Sequence, residues 1–271
     1  MRRPRYLEGL SPTLLIAHRG GAGLAPENTL TAFQQAVSRF GADMLELDVQ
    51  RAADGELMVW HDPTLERCTD GTGAVAALTS QELMGLDAGY RFSPDGGRTF
   101  PFRGQGVRLC TLRELLRTLP SVRLNVELKP ESAGAEEALV QLLRTEGALE
   151  RVCLGSESDT VGARLFELAP DACHFYPREA LSALVLSLRM GQPPPEEPRY
   201  WVLDMPYRLG DMELVDAPFL EATTGLGRWV NVWTVDEEAD MRGLVDLRVG
   251  GIMTDRPDVL RAVLGPPAAQ S

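Results

Sequence analysis

The sequence has no long apolar run and few cysteines. Its apolar runs are only a handful of residues long, whereas a membrane-spanning helix needs roughly 20. The basic start at residues 1–6 is not followed by an apolar segment of about 7–15 residues, so we expect no secretion signal and no stable membrane insertion. The four cysteines show no C-x-x-C spacing, which disfavours a zinc ribbon or a disulfide framework and predicts a protein of the reducing cytoplasm.

Positive charge is also scarce. Lys and Arg total 27 against 39 Asp and Glu, which gives a formal net charge of -12 at pH 7. A protein that neutralises phosphates along a nucleic acid carries the opposite balance, so we expect no nucleic-acid partner. Hydrophobic residues make up 44% of the chain and charged residues 24%, which are the proportions of a folded globular protein.

What the sequence does contain is an alternation of short apolar runs with segments of helical apolar period, the pattern of βαβ units and a parallel sheet. A chain of 271 residues fits one (β/α)8 TIM-type barrel, which takes about 250 residues, so we expect a single domain over residues 1–271 with a disordered tail at 265–271. The candidate strands lie at 14–17, 44–49, 57–60, 124–128, 152–155, 173–176, 201–204, 230–234 and 251–254.

These nine candidates exceed the eight strands of the barrel by one, and connection length identifies the extra strand. Only residues 50–56 separate the second candidate from the third, too few for a parallel crossover, and Asp54-Gly55 in that link is a hairpin-turn signal. We therefore expect 57–60 to pair antiparallel with 44–49, with Asp48 opposite His61. The long segment 63–110 should be an insertion over the barrel mouth, with a weak helix near 80–86.

The histidines are candidates for acid/base chemistry. His18 ends the apolar run Leu14-Leu15-Ile16-Ala17, and His61 ends Leu57-Met58-Val59-Trp60. Two histidines at strand ends, each beside a charged residue and both expected at one barrel mouth, favour catalysis over a structural role. The third, His174, is not placed in this way and is interpreted as structural.

Paired carboxylates suggest a cation. Glu46 and Asp48 alternate with leucine and valine, so a strand points both into the barrel, and Asn125, Glu127 and Lys129 repeat the pattern. Buried carboxylates repel unless a cation or a proton relieves them, and oxygen donors without cysteine favour magnesium or calcium. Arg19 and Lys129 would then contact an anionic substrate, and the whole set is suited to the cleavage of a phosphoryl ester.

These residues resemble the motifs of the glycerophosphodiester phosphodiesterases. The matching runs, in order along nearly the whole chain, are Ala17-His18-Arg19-Gly20, Pro26-Glu27-Asn28-Thr29, Glu46-Leu47-Asp48-Val49, Asp54-Gly55, His61-Asp62, Glu127-Leu128-Lys129, Trp233-Thr234-Val235 and Gly251-Ile252-Met253-Thr254-Asp255-Arg256-Pro257. Two positions depart from the family pattern: Glu157 follows Ser156 where an aromatic residue is frequent, and Asp236 follows Val235 where asparagine is common.

The resemblance implies a (β/α)8 barrel that hydrolyses a small glycerophosphodiester to glycerol 3-phosphate and an alcohol. It implies one divalent cation, magnesium or calcium, on Glu46, Asp48 and Glu127. By the same resemblance His18 and His61 are the acid/base pair, Arg19 and Lys129 contact the phosphate, and Trp233 lines the substrate pocket. No particular oligomeric state is predicted.

Two other hypotheses remain open at this point. One is a lysophospholipase D-type enzyme for acyl-bearing diesters, which would need an apolar entry patch. The insertion offers candidates for that patch at Leu83, Met84, Leu86, Tyr90, Phe92, Phe100 and Phe102, although packing of the insertion onto the barrel is the favoured interpretation of these residues. The other is a barrel that binds such a ligand without turnover.

Overall fold

The computed structural model describes residues 3–130 and 134–266. Most of the tail predicted to be disordered, residues 267–271, lies outside these ranges. No helix among the described residues is both long and apolar enough to traverse a bilayer.

Eight parallel strands form the ring of the predicted barrel. The strands are β1 (Leu14–Ala17), β2 (Met44–Arg51), β3 (Leu57–Val59), β4 (Arg123–Leu128), β5 (Val152–Gly155), β6 (Cys173–His174), β7 (Val202–Pro206), β8 (Arg208–Leu209), β9 (Met212–Glu213), β10 (Trp229–Trp233) and β11 (Gly251–Thr254). All nine candidate strands are present, and eight of them follow the order β6-β5-β4-β2-β1-β11-β10-β7 around the ring. A parallel bridge from Phe175 to Val202, just past β6, joins the two ends.

Helices surround the ring, and the first of them is capped at both ends. Thr29 accepts a hydrogen bond from the backbone of Ala32 at the start of α1, and Gly41 ends that helix in the left-handed conformation, with φ 61°. The α-helices are α1 (Leu30–Phe40), α2 (Ser80–Met84), α3 (Leu112–Thr118), α4 (Glu136–Thr145), α5 (Asp159–Leu168), α6 (Arg178–Arg189), α7 (Ala217–Gly225), α8 (Glu238–Asp246) and α9 (Pro257–Leu264).

Strand β3 pairs antiparallel with β2, as predicted, but the predicted register is wrong by one residue. Val49 pairs with Val59, so Asp48 lies opposite Trp60 rather than His61. A two-residue turn at Asp54-Gly55 would give the predicted pairing. The chain instead closes a longer loop, in which Ala52 donates its N–H to the carbonyl of Glu56 and Gly55 takes φ 87°. The extra residue shifts every pair of the hairpin by one.

Alternation along β2 separates the two sides of the ring. Leu45 and Leu47 are fully buried against the surrounding helices, where each contributes about 1.5–3 kcal/mol through burial of its side chain. Met44 faces inward and packs with Tyr6 at the end of the barrel where the strands begin. Glu46 and Asp48 share this inward face, closer to the C-terminal end of the strand. The fold thus places carboxylates in the barrel mouth.

The segment 63–110 packs as a small unit beside the mouth. Its cluster includes Leu65, Val75 and Leu83 around Trp60 of the hairpin, and each is at least 98% buried. Leu86 and Phe102 pack against the same cluster. Several residues considered for an apolar entry patch therefore hold the insertion against the barrel.

Candidate active site

A cavity of about 390 Å³ opens where the parallel strands end, and all eight residues selected from the sequence line it. His18 directly follows β1, Lys129 follows β4, and Trp233 ends β10. Carboxyl ends of parallel strands meet at one face of a barrel, which is where such folds build their sites. The cavity lies within the size range of small-molecule pockets. The eight are His18, Arg19, Glu46, Asp48, His61, Glu127, Lys129 and Trp233.

The turn after β1 has a conformation that its sequence permits. Arg19 takes a left-handed φ of 51°, and its backbone N–H donates to Glu46 Oε2 at 3.0 Å. Gly20 takes φ 86°, and a Cβ there would lie 2.8 Å from the Cβ of Ala32 in α1. Only glycine fits against the helix at that point, and this close approach places His18 and Arg19 at the mouth.

Three carboxylates form one cluster in the cavity. One oxygen from each of Glu46, Asp48 and Glu127 lies within 4.8 Å of the others. Burial and the charge of Asp48 raise the pKa of Glu46 to about 8, and burial also raises the pKa of Glu127 to about 7 despite the ammonium of Lys129. The cluster therefore carries more negative charge than its surroundings stabilise.

Asp48 has the opposite environment. Burial alone would raise the pKa of its carboxyl, but Lys129 and Arg19 outweigh burial and lower it to about 2. Lys129 Nζ lies 2.8 Å from Asp48 Oδ1 and 3.0 Å from Glu127 Oε2. Arg19 Nε lies 3.3 Å from Asp48 Oδ2, which also accepts a hydrogen bond from Asn28 at 2.9 Å. This carboxylate stays ionised at neutral pH.

The donors present fit a hard divalent cation. All three candidate ligands offer carboxylate oxygens, which magnesium and calcium prefer. Glu127 Oε1 is buried with no hydrogen-bond partner, so one oxygen of the cluster lacks the interaction that a buried polar atom normally has. A cation among the three carboxylates would satisfy this oxygen and relieve the repulsion that raises two of the pKa values.

Each mouth histidine is held by a carboxylate through Nδ1. His18 Nδ1 lies 2.7 Å from Asp255 Oδ1, and His61 Nδ1 lies 2.6 Å from Asp62 Oδ1. Burial lowers the pKa of His18, but the hydrogen bond to Asp255 and the charge of Glu46 outweigh burial and raise it. With Nδ1 held by a carboxylate, a histidine can exchange a proton through its Nε2, so this arrangement is suited to acid/base chemistry.

His174 differs from these two. It is 1% exposed, its Nε2 lies 2.8 Å from the carbonyl oxygen of Ala169, and burial lowers its pKa. The structural interpretation fits this environment.

Sequence reasoning assigned no role to several polar partners. Asp255 lies in a matching motif, but it is 237 residues from His18, and no local pattern in the sequence indicates their contact. Asp204 lies inside the barrel and accepts hydrogen bonds from Asn125 at 2.7 Å and Asn231 at 2.8 Å. Burial raises the pKa of Asp204 to about 6 although both amides lower it. Asn125 was noted from its alternation, and Asp204 could have been found by the same criterion in β7.

The outer part of the cavity is both apolar and charged. Leu181 and the 40% exposed Trp233 are its apolar residues, whereas Phe175 is 7% exposed and belongs to the same buried cluster as Met44. Glu157 and Arg178 lie on the same rim and form an ion pair. Glu157 is one of the two departures from the family pattern, so this chain has a charged pair near an expected aromatic position.

Comparisons with known proteins show the family of this chain. Residues 18–259 match the model of the Glycerophosphoryl diester phosphodiesterase family. A Glycerophosphodiester phosphodiesterase of Caldanaerobacter subterraneus subsp. tengcongensis is 34% identical over 92% of this chain and 96% of its own length. The protein named Lysophospholipase D GDPD1 of Homo sapiens is 26% identical over 92% of this chain and 85% of its own length.

A solved structure is similar as well. The phosphodiesterase of Oleispira antarctica in complex with the product sn-glycerol-3-phosphate has a TM-score of 0.74 and 25% sequence identity, and the match covers 93% of this chain and 97% of that one. The family match spans every residue of the candidate site, from His18 to Trp233. The chain belongs to the glycerophosphoryl diester phosphodiesterase family and is a phosphoric diester hydrolase.

Proposed function

We propose that this enzyme hydrolyses small glycerophosphodiesters to sn-glycerol 3-phosphate and an alcohol, with a divalent cation and with His18 and His61 as the acid/base pair. One observation carries the proposal. Two histidines, each held through Nδ1 by a carboxylate, line the same cavity as the three-carboxylate cluster and the cations Arg19 and Lys129. Together these elements can supply proton transfer and stabilisation of the charge that develops when a phosphodiester is cleaved.

The positively charged side chains of Arg19 and Lys129 bind and stabilise the phosphoryl group. Arg19 and Lys129 now neutralise the carboxylates, and a cation on those carboxylates would leave both side chains free to face the phosphate oxygens. The guanidinium offers a planar fork to two oxygens, whereas the ammonium acts as a point charge. Both stabilise the negative charge that develops on the phosphoryl oxygens as the ester bond breaks.

The histidines move the protons. His18 Nε2 is 3.8 Å from Glu46 Oε2, next to the carboxylate cluster. We therefore assign His18 as the base that takes the proton of the attacking hydroxyl. The glycerol 2-hydroxyl attacks the phosphorus, and His61 protonates the alcohol that departs. A water molecule then opens the resulting cyclic 1,2-phosphate. Glu46, Asp48 and Glu127 would hold magnesium or calcium, which supplies Lewis-acid activation of that hydroxyl.

An acyl-bearing diester is the second candidate substrate. The name of the human relative favours it. The apolar residues that the insertion offered for an entry patch include Leu83, which is fully buried, and Phe102, which packs on the same cluster, so a patch built from them lacks support. A cytoplasmic location and a single domain over residues 1–271 remain predictions.

Release of glycerol 3-phosphate from glycerophosphocholine, with and without a chelator, tests the proposal. We expect release that chelation abolishes and added magnesium or calcium restores, and much slower turnover of lysophosphatidylcholine in a parallel assay. Full activity after chelation would overturn the cation assignment. Faster cleavage of the acyl substrate would favour the lysophospholipase D hypothesis, and no cleavage of either substrate would favour a binding barrel.

Replacing Lys129 by methionine should lower kcat by about 10²–10³-fold, because a lost transition-state contact of this kind costs about 3 kcal/mol. Lys129 is the sole lysine in the sequence, since 26 of the 27 Lys and Arg residues are arginines. It bridges Asp48 and Glu127 with one compact ammonium, so Lys129→Arg should restore little activity. Steady-state kinetics at saturating cation measure both variants. A K129M enzyme within twofold of the parent would place Lys129 outside the site.

A further inference from the structure

Arg67, a residue of the insertion, joins two parts of the active site. Its Nε donates to Asp62 Oδ2 at 2.5 Å and its Nη2 to Asp62 Oδ1 at 3.1 Å. On the other side, Nη1 and Nη2 donate to the two carboxylate oxygens of Glu27, each at 2.7 Å. One guanidinium therefore makes a two-point contact with each of two carboxylates. Such a contact fixes orientation as well as distance.

Both carboxylates lead directly to residues of the proposed chemistry. Asp62 Oδ1 holds His61 Nδ1 at 2.6 Å, and Glu27 Oε1 accepts a hydrogen bond from Arg19 at 3.0 Å. Arg67 is thus connected through one intervening carboxylate to the proposed acid, His61, and through another to a proposed phosphate contact, Arg19. The side chains of Glu27 and Asp62 are 12% and 20% exposed, so both pairs are partly shielded from solvent.

The side chain of His61 needs this support more than its backbone does. Gln50 of β2 donates to the carbonyl of His61 at 2.8 Å, which anchors the main chain independently of Arg67. The imidazole itself is 31% exposed, and Asp62 is the partner that fixes its Nδ1. Without Arg67, the Asp62 carboxylate would rotate about its side chain and hydrate, and the orientation of the imidazole would no longer be fixed.

We infer that Arg67 is a positioning residue for the leaving-group acid: it fixes Asp62, which orients His61 so that Nε2 points at the ester oxygen of the departing alcohol. The inference rests on the proposed function. In this step the P–O bond breaks, the alcohol oxygen takes its electron pair, and the proton of His61 Nε2 moves to that oxygen. Outer carboxylate partners of metal-bound histidines change metal affinity or activity by about 10–100-fold, and we expect an effect of that size for this acid histidine.

A merely structural role for Arg67 would slow all substrates alike, which makes leaving-group dependence the decisive measurement. An alkyl alcohol such as choline must be protonated as it leaves. An aryl alcohol such as 4-nitrophenol leaves as a stable anion and gains little from an acid. Choline and 4-nitrophenol can each be esterified to the same glycerophosphoryl group, so the attacking hydroxyl and the phosphate contacts are identical in the two substrates.

The test compares kcat for glycerophosphocholine and glycerophospho-4-nitrophenol in Arg67→Met, Arg67→Lys and the control Arg91→Met. Arg91 belongs to the same insertion, but its Nε donates to the carbonyl of Thr69, away from both histidines. We expect R67M to lose about 10–100-fold on the choline ester and at least tenfold less on the aryl ester. R67K should recover part of the loss, because it keeps the charge without the fork, and R91M should match the parent.

Thermal unfolding of each variant shows whether the insertion stays folded, and the aryl ester reports an intact site in the same preparation. An R67M enzyme that loses both activities equally, or neither, would overturn the positioning role while leaving the proposed function intact. A parent enzyme that cleaves neither ester would overturn the proposed function and this inference with it.

Discussion

Glu46→Gln should reduce kcat by about 10³-fold or more, since a bound cation supplies several kcal/mol of transition-state stabilisation and each 1.4 kcal/mol is a factor of ten. The substitution removes one charge of the proposed ligand set with little change in volume. A glutamine oxygen can still accept the backbone N–H of Arg19, which Glu46 now accepts at 3.0 Å. The fold around the turn should therefore survive, and steady-state kinetics at saturating cation measure the loss.

The same E46Q substitution that lowers activity should raise the stability of the cation-free protein. The pKa of Glu46 is raised from 4.5 to about 8, so the folded state holds a proton that the unfolded state releases. The parent protein should consequently lose stability as the pH rises from about 4.5 to about 8, and glutamine should abolish that loss. At pH 7.5 without cation, E46Q should unfold at a higher temperature than the parent.

Asp48→Asn separates charge repulsion from charge pairing. The pKa of Asp48 is held at about 2 against the ordinary 3.8, so its ionised form stabilises the fold at neutral pH and loses that effect as the pH falls toward 2. D48N should therefore unfold at a lower temperature than the parent at pH 7.5, although it should lose activity as E46Q does.

Added magnesium or calcium provides a readout independent of activity. A ligand at 100 times its Kd stabilises the native state by about 2.7 kcal/mol, so saturating cation should raise the unfolding temperature of the parent and leave both variants nearly unchanged. Equal shifts in parent and variants would mean that the cation binds elsewhere. E46Q with parental kcat would remove Glu46 from the proposed ligand set.

The features that could be predicted from the sequence are those set by local periodicity. Strand alternation alone placed Glu46 and Asp48 on the inward face, and the structure shows the same face. The antiparallel β3 followed from a connection too short for a parallel crossover. The predicted register of that hairpin was wrong because the register depends on the number of residues in the loop. An Asp-Gly pair does not determine that number.

Contacts between distant residues could not be predicted in this way. Asp255 meets His18 only because β11 and β1 are neighbours in the ring, which no local pattern reveals. Glu27 and Arg67 are separated by 40 residues and meet through the packing of the insertion. Periodicity therefore located the reactive groups, and tertiary packing determined how each is oriented.

An analogue of glycerophosphocholine that lacks the glycerol 2-hydroxyl should bind but hardly turn over. In the proposed mechanism that hydroxyl is the nucleophile, and it attacks the phosphorus of its own molecule. A well-oriented intramolecular group has an effective molarity of about 10⁵–10⁸ M, against about 55 M for bulk water, so replacing it by water should cost about 10³–10⁶-fold in kcat. The contacts of Arg19 and Lys129 with the phosphate remain, so the analogue should inhibit with a constant close to the KM of the substrate.

The matched control is the analogue that lacks the other free hydroxyl of the glycerol, the one on the carbon remote from the phosphate ester. It keeps the nucleophile and should be cleaved within about tenfold of the parent substrate, the effect of one lost hydrogen bond of about 1 kcal/mol. Phosphorus NMR of the parent reaction should show a cyclic 1,2-phosphate that forms early and then decays. Cleavage of the 2-deoxy analogue at the normal rate would make water the direct nucleophile. His18, which Asp255 holds at 2.7 Å, would then take its proton from that water, and the cyclic product should be absent.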